Sequence, residues 1–126
     1  MMDIGFARQQ LKSKIHRAQV TRADPAYEGS IEIPENLMAD VDLWAREKVL
    51  VVSIDTGVRL ETYVQRGPSG SGNITINGGA AHLIGAGERI TIMAFAWSEM
   101  PVCAKLMLCD HENKPVRLEE KCDDLA

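Results

Sequence analysis

Aromatic side chains are scarce, with two each of Trp, Tyr and Phe in 126 residues. Val, Ile, Leu, Ala and Met must then fill the core, and hydrophobic residues do make up 45% of the chain. One globular domain with an adequate core is expected, and a small closed barrel or sandwich suits this composition better than a broad open surface. No apolar run approaches the ~18 residues that a membrane span requires. The stretch Met1–Gln10 has neither the apolar core nor the cleavage site of a secretory signal. Positive charge is not in excess either: 14 Lys and Arg face 18 Asp and Glu, and the cations are scattered singly. Nucleic-acid binding needs a clustered positive surface. Neither nucleic acid nor a membrane is expected as a partner, and a cytoplasmic location is expected.

Cysteine is sparse and odd in number, at three, which is poor material for a disulfide framework. There is no Cys-x-x-Cys pair. Cys103, Cys109, His111 and Cys122 follow one another at spacings of six, two and eleven. These match no common zinc pattern, so no metal is expected and the cysteines read as plain thiols near a polar tail. The chain also lacks internal repeats and low-complexity tracts. No phosphate loop, dinucleotide fingerprint or recognisable Ser-His-Asp pattern is present.

Short strand signals, by contrast, are plentiful. Arg17–Thr21 and Ser30–Ile33 alternate polar and apolar, and Val49–Ile54 is a continuous β-branched run. Asp55-Thr56-Gly57 reads as a turn, and Arg59–Val64 returns with period two, which makes a hairpin. Asn73–Ile76, Arg89–Phe95, Ala104–Leu108 and Val116–Leu118 are further strand candidates. Pro34 opens a short helix over 35–41, and a second could run from Gly78 to Leu83. Many short strands and two brief helices predict a small, mainly β barrel.

Four stretches carry possible chemistry: Lys14-Ile15-His16-Arg17, Tyr27-Glu28-Gly29-Ser30, Arg59-Leu60-Glu61-Thr62-Tyr63 and Asn77-Gly78-Gly79-Ala80-Ala81-His82. A Gly-Ser bond alone is usually a turn. Self-cleavage needs a hydroxyl that can attack the preceding carbonyl, and glycine there permits backbone shapes a side chain would forbid. Arg59 offers a planar fork for a carboxylate and Lys14 a point charge, although most such residues are solvated surface charges. On a strand, Arg59, Glu61 and Tyr63 share one face and Thr62 takes the other. A bulge, or a site between subunits, would reconcile Thr62 with Tyr63. Small residues after Asn77 suit either a tight turn or backbone binding of an anion.

In register from about Arg8 to Phe95, these motifs together resemble the aspartate 1-decarboxylase family of pyruvoyl-dependent enzymes. The resemblance implies a double-psi β-barrel assembled as a homotetramer. It implies cleavage between Gly29 and Ser30 into a chain of residues 1–29 and a chain of residues 30–126. Ser30 would become a covalent pyruvoyl group, the cofactor, with Thr62 assisting the processing. Tyr63 resembles the proton donor, and Lys14, Arg59, Thr62 and the backbone of Gly78, Gly79 and Ala80 resemble the substrate-binding positions. Gly79 stands where the family usually has alanine.

The implied reaction removes the α-carboxylate of L-aspartate through an imine to the pyruvoyl group. It gives CO₂ and the β-alanine used for pantothenate. Alternatives are another acidic substrate such as glutamate, or an uncut barrel that serves as a binding or regulatory module. Whether a maturation helper protein takes part is open at this level.

Overall fold

The computed structural model describes residues 5–123. Its elements in chain order are β1 (Arg8–Gln19), β2 (Arg22–Asp24), β3 (Ser30–Pro34), α1 (Glu35–Val41), β4 (Lys48–Ser53), β5 (Arg59–Gly67), β6 (Thr75–Asn77), a 3-10 helix (Gly78–His82), β7 (Arg89–Ser98), β8 (Ala104–Cys109) and β9 (Pro115–Lys121). The strands form one sheet in the order β2-β6-β3-β5-β4-β7-β1-β8-β9. Parallel pairs (β1 with β8, β2 with β6, β3 with β5) mix with antiparallel ones. This is the mainly β, barrel-like fold that the composition predicts.

Isoleucine and valine do the work that aromatics do elsewhere. Ile15, Ile31, Ile33, Ile76, Ile90 and Ile92 are fully buried, joined by Val49, Val51 and Val64. β-branched side chains fit the pleated, half-buried surface of a strand. The hairpin of β4 and β5 shows this best, with Val49 opposite Thr62 and Val51 opposite Leu60. Helix α1 buries Leu37, Met38 and Val41. Pro34 closes β3 and stands at the N-cap of α1, one position earlier than its expected place inside the helix.

Two features depart from expectation. The first strand is much longer than Arg17–Thr21 and begins at Arg8. Its register against β7 slips between Leu11 and Ser13 and again between Ile15 and Ala18, where Arg17 adopts φ 61°. Bulges of this kind break the two-residue period that marks a strand in sequence. The second departure is a disulfide between Cys103 and Cys122, with Cys109 left as a buried thiol. The expectation of three plain thiols is therefore wrong. Cys103 lies just before β8 and Cys122 just after β9, so hairpin pairing brings them together across a long sequence gap.

That hairpin is tied down at its turn as well. Asn113, φ 60° and buried, donates through Nδ2 to the carbonyls of Gln19 and Gly72. Its Oδ1 accepts the N–H of Gln19 at 2.7 Å. No helix among the described residues is long and apolar enough to cross a membrane.

Candidate active site

Ser30 is the first residue of β3 and is fully buried, whereas Tyr27, Glu28 and Gly29 just before it are exposed. The turn leading in is built by Asp24, whose Oδ1 accepts the N–H of Ala26 at 3.0 Å. Ser30 pairs with Asn77 across β3 and β6. Asn77 Nδ2 donates to Ser30 Oγ at 3.2 Å, and Ser30 Oγ donates to the Glu28 carbonyl at 3.1 Å. The hydroxyl is thus fixed on both sides, against the segment that precedes it.

Gly78 completes the hold. It adopts φ +79°, and a Cβ placed on it would lie 2.5 Å from Gly29 Cα and 2.6 Å from Gly29 N. Only a residue without a side chain lets these two backbones meet. Gly79 has open space where its Cβ would be. Ala80 is half-buried, packs on the core and accepts the N–H groups of Leu83 and Ile84.

Tyr63 lies one residue before Val64, the partner of Ile31, so it stands level with Ser30 on the adjacent strand. It lines an open groove of about 920 Å³ together with Tyr27, Glu32, Trp44, Arg46 and Arg66. Strand β5 pairs with β4 without a break from Arg59 to Tyr63. No bulge therefore reconciles Thr62 with Tyr63. Thr62 sits opposite buried Val49 and shares its inward face, while Arg59 and Tyr63 share the outward one.

The two cations do not join this cluster within one chain. Arg59 is exposed at the far end of β5, four residues from Tyr63 or roughly 13 Å along the strand. Lys14 is on β1, with β5, β4 and β7 between it and Ser30 in the sheet order. It lines a separate cavity of about 150 Å³ with His16, Leu106, Leu108, Arg117 and Glu119. His16 Nδ1 is 3.1 Å from Thr91 Oγ1. Burial, and after it the charges of Lys14, Arg17 and Arg117, hold this imidazole below the ordinary histidine value. His82 is exposed at the end of the 3-10 helix.

In the sequence Asn77 stands out only as the start of a glycine-rich stretch. Its contact with Ser30 follows from the register of β3 on β6, which no local pattern reveals. One trio among the described residues, Cys103, Glu120 and Cys122, has ligand atoms close enough to share a cation. Both of its thiols are joined in the disulfide and exposed.

Residues 6–116 match the family model described as aspartate decarboxylase. The chain belongs to the aspartate decarboxylase family. It is 48% identical over 115 residues to the aspartate 1-decarboxylase of Caldicellulosiruptor bescii, covering 88% of this chain and 90% of that one. The aspartate 1-decarboxylase of Thermotoga petrophila is 44% identical over 107 residues, covering 85% of this chain and 94% of its own. Over a shorter stretch of 89 residues, aspartate 1-decarboxylase 1 of Frankia casuarinae reaches 54% identity, covering 71% of this chain and 58% of its own. The matched region includes the residues from Lys14 to Ala80, while Arg117 and Glu119 lie beyond it.

Proposed function

We propose that this chain removes the α-carboxylate of L-aspartate, releasing CO₂ and β-alanine, and that its reactive carbonyl is a pyruvoyl group made from Ser30. The observation that carries this reading is the hold on the Ser30 hydroxyl by Asn77 and Glu28, with Gly78 seated on Gly29, in a chain of this family. The residues fit the group: position 30 is buried, an amide donor faces it, and the space a Cβ would fill at 78 is taken by the Gly29 backbone. When present, the pyruvoyl group supplies a carbonyl that can take up an amine and draw off the electrons released with CO₂.

The chain's own residues divide the remaining work. In processing, Ser30 Oγ attacks the Gly29 carbonyl carbon and the Gly29–Ser30 C–N bond breaks, leaving an ester between the two residues. Loss of the Ser30 Cα proton then expels the Gly29 carboxylate, which frees residues 1–29, and water hydrolyses the dehydroalanine left at position 30, releasing ammonia and leaving the carbonyl at the head of 30–126. Neither group that holds the hydroxyl, the Glu28 carbonyl or the Asn77 amide, is a base at neutral pH. Thr62 assists processing from the inward face of β5. Tyr63 gives its proton to the substrate carbon that has lost CO₂. The backbone of Gly78, Gly79 and Ala80 orients the substrate, and Arg59 and Lys14 hold its carboxylates.

Lys14 and Arg59 serve one substrate only if a second copy completes the site. The outward face between them carries Leu50, Val52, Met93 and Phe95, with Leu106 and Leu108 beyond, none of them in the core. A homotetramer that covers this face brings the Lys14 of one copy to the Ser30 of another. The β-alanine so formed serves pantothenate synthesis.

Mass spectrometry with an assay for β-alanine tests the reading. Wild type should separate into the two pieces and act on aspartate faster than on glutamate, while Ser30→Ala stays one chain and inactive. An active Ser30→Ala protein, or a wild-type chain that stays intact on long incubation without a helper protein and with one, defeats it. Mixing Lys14→Ala with Ser30→Ala protein before assembly should restore part of the activity if the site is shared between copies.

A further inference from the structure

The small cavity at Lys14 contains a second cation that the site as read so far does not use. Leu108 of β8 pairs with His16 on one side and Arg117 on the other. Leu106 likewise pairs with Lys14 and Glu119. Two adjacent rungs therefore run across β1, β8 and β9, each about 10 Å from end to end at ~4.8 Å per strand step. Leu106 and Leu108 form an apolar floor. Lys14 and His16 rise at one wall, Arg117 and Glu119 at the other.

Charge in this cavity is unbalanced. Among the described residues neither Lys14 nor Arg117 forms an ion pair, although Glu119 lines the same space. Burial is the main cause of the depressed His16, and the charges of Lys14, Arg17 and Arg117 push it the same way. With His16 neutral, the lining carries two positive charges against one negative. A volume of about 150 Å³ is below the roughly 300–1,000 Å³ of drug-sized sites. It suits one end of a small anion.

Arg117 is also held in place. The turn before β9 is anchored by Asn113 to Gln19 and Gly72, and the end of β9 is anchored by the disulfide to Cys103. An edge strand fixed at both ends presents its arginine with less freedom to lose on binding. Residues 6–116 are those matched to the family, so Arg117 lies one position beyond them.

We propose that Arg117 is a further substrate-binding residue: with Lys14 it seats one carboxylate of the dicarboxylic substrate on the Leu106–Leu108 floor. This rests on the proposed reading of Lys14 as a substrate cation. A guanidinium adds two parallel hydrogen bonds where the ammonium offers a point charge.

The test compares wild type with Arg117→Gln and Arg117→Lys as assembled, processed enzyme. Aspartate kinetics are measured beside the binding of succinate, a dicarboxylate with no amine to react. Processing at Ser30 should be complete in all three. In Arg117→Gln the KM for aspartate and the dissociation constant for succinate should both rise about 10- to 100-fold, with kcat changed far less. Arg117→Lys should recover part of the loss. Unchanged KM and unchanged succinate binding in a folded, processed Arg117→Gln enzyme overturn the inference. If wild type is processed yet inert on aspartate, the functional reading fails, and succinate binding still decides the role of Arg117.

Discussion

Gly78 lies so close to Gly29 that an added Cβ would stand 2.5 Å from the Gly29 Cα. The residue that opens the 3-10 helix thus touches the segment where cleavage is proposed. Gly78→Ala meets both a left-handed φ and a backbone clash, so it should cost well over 1 kcal/mol and slow cleavage. Gly79→Ala, next door, meets nothing and should leave both properties nearly unchanged. Thermal unfolding of the uncut chains and a time course of cleavage by mass spectrometry compare the two. Equal behaviour would show that this contact does not govern processing.

Tyr63→Phe keeps the ring in the groove beside Tyr27 and removes only the hydroxyl, and with it the proton. The variant should fold and process normally, and its turnover of aspartate should fall by about 10²–10⁴-fold. A variant that forms β-alanine at the wild-type rate would give the proton to another donor.

Cysteine reactivity should follow burial and pairing. The Cys109 thiol is pushed up to about 11 by burial and by Asp110, so almost none of it is thiolate at pH 8. Iodoacetamide should leave the folded protein untouched, and after mild reduction should label Cys103 and Cys122 but not Cys109. Peptide mapping reads this directly. Reduction should also lower stability by about 3 kcal/mol on the loop-closure estimate for a bridge of this span, 19 residues.

His16 sets a pH dependence of stability. Its folded pKa is depressed, so the unfolded chain binds the proton more readily. This group is neutral in both states above the unfolded value near 6.5, where it has no effect. Stability should decline as pH falls below that value, and the loss is complete once pH passes below the folded pKa. The groups facing it are Lys14 and Arg17 from β1, Thr91 from β7, and Arg117 and Glu119 from β9. NMR titration of the ring should give a lower midpoint than 6.5, and a higher midpoint in Arg117→Gln than in wild type.

Much of the barrel was legible because β-branched residues repeat where strands lie. The β4–β5 hairpin, helix α1 and the turn of helix at Gly78 all fall where local patterns place them. The first half of β1 does not announce itself, since two bulges interrupt the alternation and polar Ser13 is buried, donating to the Val41 carbonyl. β2 is three residues long and is a strand only through β6. The motif residues were visible in the site, but their arrangement was not. The pairing of Ser30 with Asn77, the distance of Lys14 from both, and the approach of Cys103 to Cys122 are matters of register between strands far apart in sequence.

The position of β1 gives the proposed cut an irreversible character. This strand belongs wholly to the 1–29 piece, yet it is hydrogen-bonded to β7 on one side and β8 on the other, and it contributes Ile15 and Ala18 to the core. The small piece is therefore a central plank of the sheet and stays in place after the bond is lost. Once such a molecule unfolds, however, its two parts diffuse away, and refolding becomes a meeting of separate molecules that depends on concentration. The uncut chain can fold and refold as a unit. The cut one preserves a fold that it would have difficulty finding again, so the lifetime of the mature form depends on how slowly it opens.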